Sequence, residues 1–125
     1  MYDDTAFAVV VFKAMADETR FEIIKMLSQG EMCACKILEK FNFTQPTLSY
    51  HMRILTAAGL VNGVREGAWI WYSLNRETFE KAERLMGALH AAAANAKQVP
   101  CCGEDSKAAA ETHCCPPADE PLETV

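Results

Sequence analysis

The sequence contains no apolar run of the roughly 18 to 20 residues that a membrane span requires, so a transmembrane protein is not expected. Its opening, Met1-Tyr2-Asp3-Asp4, is acidic where a secretory signal is basic, and the expectation is a soluble, cytoplasmic protein. No glycine-rich phosphate loop and no metal-hydrolase motif occurs, and no histidine stands near Cys33 or Cys35 to serve as a base. Catalysis and an organic cofactor are therefore not expected. With 125 residues, half of them apolar, the chain has material for one modest core and no second enzyme-sized lobe.

One absence is local. Between Lys40 and Arg65 there is no acidic residue, only Arg53 and the titratable His51, so this stretch forms a basic strip. The overall charge of -5 arises elsewhere. Residues 1-97 hold eleven acids and eleven bases, whereas residues 98-125 hold six acids against Lys107 alone. Those last residues mix Pro, Ala, Cys and acids with almost no large apolar side chains and cannot offset their own ordering entropy. The expected organisation is a neutral domain over 1-97 followed by a flexible acidic tail over 98-125.

Along the domain, Phe7, Val10, Val11 and Met15 give helical spacing over 5-16, although the run Val9-Val10-Val11 is also compatible with a strand. Asp17-Glu18-Thr19 opens a second helix carrying Phe21, Ile24 and Leu27, which Gly30 closes. Met32 to Phe41 reads as a short third helix with Ile37, Leu38 and Phe41 inward. Thr44 is a good N-cap and Pro46 suits a first turn, which predicts a fourth helix from about Gln45 to Ala58, ended by Gly59, with Leu48, Met52 and Leu55 buried. A turn at Arg65-Glu66-Gly67-Ala68 joins Val61-Val64 to Trp69-Leu74 as a β-hairpin. From Thr78, Phe79, Ala82, Leu85, Met86 and Leu89 mark a fifth helix that fades through Ala91-Ala94.

Two short helices, the second polar and basic on one face, followed by a hairpin, form the arrangement that lays a recognition helix in the DNA major groove with a wing beside it. Gln45, Thr47, Ser49, Tyr50 and His51 are the candidates for base edges or phosphates, and Arg53 with Arg65 for the backbone. Such a face alone is equally compatible with an ordinary solvated helix. The combination is more telling. Asp17-Glu18-Thr19-Arg20-Phe21-Glu22-Ile23-Ile24, Cys33-Ala34-Cys35-Lys36-Ile37-Leu38, Thr44-Gln45-Pro46-Thr47-Leu48-Ser49-Tyr50-His51-Met52 and Ala58-Gly59-Leu60-Val61, in that order, closely resemble the ArsR/SmtB family of metal-responsive repressors over roughly residues 6-90. The resemblance implies a mainly α winged helix-turn-helix with a small β-hairpin, homodimeric through residues 5-16 and 78-94, on a palindromic double-stranded operator.

The six cysteines are expected as reduced thiols in a cytosolic protein. Cys33 and Cys35 could be small core residues, but thiolate sulfur is a soft ligand suited to thiophilic ions. If both stand in a regular helix, residues two apart point to different sides, and one ion reaches both only when the first turn loosens. In the arsenic-responsive members that the sequence resembles, such a pair binds trivalent arsenic or antimony and releases DNA. Those members often carry a third cysteine one turn later, where this chain has Leu38. The third sulfur is then expected from Cys101 or Cys102, with Cys114 and Cys115 further along, unless the inducer is an organoarsenical that needs two. Thiol oxidation, cadmium or lead are alternative signals on the same scaffold. Zinc is disfavoured, because Glu77, Glu80, Glu83 and His90 do not build a tetrahedral site on the last helix.

Overall fold

A computed structural model describes residues 4-99. The elements are α1 (Asp4–Met15), α2 (Glu18–Leu27), β1 (Met32–Cys33), α3 (Ala34–Lys40), α4 (Gln45–Ala57), β2 (Val61–Glu66), β3 (Trp69–Leu74) and α5 (Arg76–Ala94). The three strands form one antiparallel sheet in the order β1-β3-β2, and the compact unit that holds them runs to Ala91. This is a mainly helical winged helix-turn-helix. Val9-Val11 lie within helix α1, Asp4–Met15, so the strand alternative for them is excluded. The tail cysteines Cys101, Cys102, Cys114 and Cys115 lie outside the described residues.

Local chemistry sets the boundaries. Asp17 takes an extended conformation before α2, and its Oδ1 accepts a hydrogen bond from the Arg20 backbone N–H at 3.0 Å, satisfying one orphan donor of the first turn. At α4 the cap position is Thr44 as expected, but its hydroxyl pairs with that of Thr47 at 3.2 Å and makes no cap bond to the backbone. Gly59 ends α4 at φ 78, with its N–H on Thr56 O and the Leu60 N–H on Leu55 O. That is the doubly bonded Schellman closure, in which a left-handed residue after the helix is accommodated best by glycine. Leu60 enters the core directly, and Thr78 Oγ1 donates to Gly59 O at 2.7 Å, which ties α5 to this corner.

Three expectations are corrected. Met32 and Cys33 are not the first turn of a helix; they are extended, pairing with Tyr72 and Trp71 of β3, and α3 starts at Ala34. The backbone donors of these residues satisfy the sheet edge, which outweighs a further turn on a helix only seven residues long. The hairpin turn is tighter than expected: Arg65 and Glu66 belong to β2, Glu66 pairs with Trp69, and Gly67 at φ 63 takes the first central position of a two-residue loop that favours glycine. Finally, α5 begins at Arg76, where the Arg76–Glu80 pair at 2.9 Å spans its first turn.

The core gathers Val11 and Ala14 of α1, Ile23, Ile24 and Leu27 of α2, Ile37 of α3, Leu48, Met52 and Leu55 of α4, Leu60, Val61 and Tyr72. Phe21, expected inward, is 46 % exposed, because Ile23 takes the buried side of α2. The outer face of α1 stays open, with Val9, Val10 and Phe12 exposed, and so do Met86 and Leu89 of α5.

The Asp17 cap yields a pH prediction. The Arg20 N–H bond chiefly, with the Arg20 and His51 charges, holds the Asp17 carboxyl below its usual range. A depressed carboxyl contributes stability above its unfolded pKa, and that contribution fades as pH falls through the lower folded value. Asp17→Ala is expected to cost about 1 kcal/mol near neutrality, and Asp17→Asn to cost less while losing this acid-side dependence. Urea unfolding of the three proteins between neutral and strongly acidic pH checks it. Equal stability of Asp17→Ala and the parent at neutral pH would contradict it.

Candidate nucleic-acid interface and thiol site

Helix α4 has a sharp division of faces. Leu48, Met52 and Leu55 are buried, while Gln45, Ser49, Tyr50 and Arg53 are exposed and Thr47 is half-buried beside Thr44. Arg65 is exposed on β2 of the wing. Ser49 and Arg53 line a cleft of about 440 Å³ with Ile70 and Tyr72, so the polar face of α4 abuts the wing strand β3. The face is a polar surface with Arg53 on the helix and Arg65 on the wing as its cations and no acid on α4 itself, suited in composition to a phosphate backbone.

His51 stands apart from that group. Its side chain is only 13 % exposed and turns toward α2, with Nδ1 at 3.4 Å from an Arg20 guanidinium nitrogen and 4.0 Å from Asp17 Oδ1. The Tyr50 ring meets it edge-on at 5.3 Å, and Phe43, itself stacked on Phe41 at 4.9 Å, lies at 6.1 Å. Arg20 Nε in turn donates to Ala14 O at 2.6 Å. The chain Ala14–Arg20–His51 links α4 to α2 and the end of α1. Sequence reasoning missed Arg20, which stands thirty-one positions from His51 and shares no periodic pattern with it.

The thiols occupy the junction of β1 and α3. Cys33 is buried, extended and caps α3, its Sγ accepting from the Cys35 N–H at 3.4 Å; Cys35 is half-buried in the first turn. Because Cys33 precedes the helix, the divergence of two helical positions does not arise. The shared side-chain hydrogen bond lowers the Cys33 pKa, assisted by the Cys35 and Lys36 N–H groups, and raises that of Cys35, which the burial of the thiol also pushes up. A first thiolate is thus held by its neighbours, and it opposes the second.

Two indoles complete the site. Cys33 lies directly across from Trp71, and Trp69, two residues away on β3, shares its side of the pleat. Glu31, Met32, Cys33, Cys35, Lys36, Trp69 and Trp71 enclose a cleft of about 520 Å³. Leu38, at the position expected of a third cysteine, lines an adjoining cleft with Cys35, Gln45 and Trp69. Among the described residues, no group of three Cys, His, Asp or Glu side chains is placed to hold a metal ion. The alternation Trp69-Ile70-Trp71 signals that both indoles share one face, but their neighbourhood with Cys33 depends on the unforeseen strand β1.

The sequence profile of the arsR family of bacterial regulatory proteins matches residues 17–63. The chain is also 45 % identical over 76 residues to the transcriptional repressor SdpR of Bacillus subtilis, across 61 % of this chain and 84 % of that one. It belongs to the ArsR family. That family comprises DNA-binding regulators and not enzymes, consistent with a polar α4 face beside a wing. The chain is 48 % identical over 65 residues to the arsenical resistance operon repressor of Staphylococcus aureus, a match covering 52 % of this chain and 62 % of that protein. The homodimeric winged helix-turn-helix DNA-binding domain of a possible ArsR-family regulator from Mycobacterium bovis superposes with a TM-score of 0.56 at 28 % identity, over 75 % of this chain and 84 % of that one. No helix of the described residues is long and apolar enough to cross a membrane.

The thiol pair gives a direct test. With the four tail cysteines replaced by serine, ultraviolet thiolate absorbance is expected to rise in two steps, one below and one above an ordinary thiol. Cys33→Ser should remove the lower step and let Cys35 titrate earlier than before. A single step accounting for both thiols would contradict the shared hydrogen bond.

Proposed function

We propose that this ArsR-family protein is a transcriptional repressor that binds operator DNA as a homodimer and leaves it when trivalent arsenic or antimony is captured by Cys33 and Cys35. The observation that carries the reading is the position of the thiol pair. Cys33 is paired to the wing strand β3, whose other face lines a cleft with Ser49 and Arg53 of α4. A ligand that draws the two sulfurs together acts on a strand shared with the DNA-reading surface. Arsenical resistance repressors among the relatives support the class of inducer.

On DNA, Gln45, Thr47, Ser49 and Tyr50 are assigned to base edges and phosphates, Arg53 and Arg65 to the backbone, and His51 to holding α4 in place. The second copy is assigned to the open faces of α1 and α5. There Ala8, Val9, Phe12, Leu85 and Leu89 line an apolar groove of about 600 Å³, and a self-complementary two-fold contact covers such stripes. The third sulfur for inorganic arsenic is assigned to Cys101 or Cys102, the first cysteines after α5 in the acidic stretch over 98-125. The cytoplasm is the compartment in which DNA and reduced thiols coincide.

Fluorescence anisotropy of a labelled promoter fragment from the protein's own gene tests this. Reduced protein is expected to bind, arsenite to release it, and Cys33→Ser or Cys35→Ser to bind without release. Leu89→Glu should sediment as a monomer and lose most of its affinity, because one subunit then meets only one half-site. Release of the Cys33→Ser protein by arsenite would overturn the inducer assignment, and a dimeric Leu89→Glu protein would overturn the interface.

A further inference from the structure

We infer that Arg20 is a positioning residue for sequence-specific DNA binding: through His51 it holds the angle at which α4 presents Thr47 and Tyr50, so that discrimination between DNA sequences depends on it more than general affinity for DNA does. The inference rests on the proposal that the polar face of α4 reads operator DNA, and it adds to that face a residue that stands on another helix.

Arg20 is half-buried on α2, and two of its side-chain nitrogens are engaged within the domain. Nε donates to Ala14 O at 2.6 Å, and Nη1 lies 3.4 Å from His51 Nδ1. Its backbone N–H donates to Asp17 Oδ1 at 3.0 Å, while the Asp17 N–H donates to Met15 O at 2.9 Å and closes the turn between α1 and α2. The guanidinium is therefore anchored at a tight corner before it reaches α4. It can only donate, so Nδ1 of His51 is the acceptor. A planar fork spans two partners on different helices, which the single ammonium of a lysine does not.

His51 is where such an anchor acts on the reading face. At helical spacing it stands one turn from Thr47, between that residue and the buried stripe of Leu48, Met52 and Leu55. The Tyr50 ring, 57 % exposed, meets it edge-on at 5.3 Å. Apolar burial has no preferred direction, whereas a donor and its acceptor do. A roll of about 10° carries a side-chain tip, about 5 to 6 Å from the helix axis, through about 1 Å. A hydrogen bond to a base edge is weakened by that displacement, while the long side chains of Arg53 and Arg65 can follow a phosphate through it.

The test measures anisotropy of the reduced full chain on the promoter fragment and on a shuffled duplex of the same length and composition, at matched salt. Arg20→Ala is expected to weaken the promoter fragment about tenfold and the shuffled duplex less than about twofold. Arg20→Lys, which keeps the charge, should lose discrimination in the same way, with the salt dependence unchanged. A merely structural role lowers the folded fraction and so both affinities alike, leaving their ratio at the parent value. In a His51→Ala background Arg20→Ala should add less than about twofold, because the two residues act as one unit. An unchanged ratio, full recovery by Arg20→Lys, or effects of Arg20→Ala and His51→Ala that simply multiply overturns the inference. A shallower salt dependence in Arg20→Ala with equal loss on both duplexes overturns it too, since that is the mark of a direct phosphate contact. A parent protein that binds the two duplexes equally is a different failure: it removes the sequence-specific reading on which the inference rests.

Discussion

The pairing of Met32 and Cys33 with Tyr72 and Trp71 fastens the start of α3 to the central strand of the wing. Without that two-residue strand the sheet is a two-stranded hairpin held to the core by Val61 and Tyr72, and Cys33 loses its backbone pairing to it. With it, one strand serves two surfaces. The odd-numbered side chains of β3, Trp69 and Trp71, look onto the thiol cleft, and the even-numbered Ile70 and Tyr72 look onto Ser49 and Arg53 of α4. The pleat of a single β-strand separates the two sites by the thickness of its backbone.

The recognition helix is held from its other side by polar contacts. Arg20 joins Ala14 O to the His51 ring, and the Asp17 carboxylate caps α2 beside them. Hydrophobic packing through Leu48, Met52 and Leu55 sets which face of α4 turns inward. The His51 contacts with Arg20 and Asp17 add a polar restraint on the same helix. A face that must meet base edges within hydrogen-bond reach needs both constraints.

Much of this was legible in the sequence. The five helices, the hairpin and the caps at Asp17 and Gly59 follow from apolar spacing and from residues whose backbone preferences are strong. The polar face of α4 follows from the same spacing. What was not legible came from long-range contacts. A two-residue strand of Met and Cys has neither length for alternation nor β-branched character, and only its partner Trp71, thirty-eight positions away, makes it a strand. The inward turn of His51 depends on Arg20 in the same way. Phe21 illustrates the converse: its spacing is right for the core, and Ile23 occupies that side instead.

If β3 couples the two sites, then by linkage the inducer and DNA weaken each other's binding by the same factor. The most direct measurement is the affinity for arsenite with and without saturating operator fragment, set beside the affinity for operator with and without saturating arsenite. The account predicts two equal ratios, both well above one, and both reduced to one by Cys33→Ser. Arsenite affinity that is unchanged by operator DNA would mean that the thiol site and the DNA surface are independent, and would contradict it.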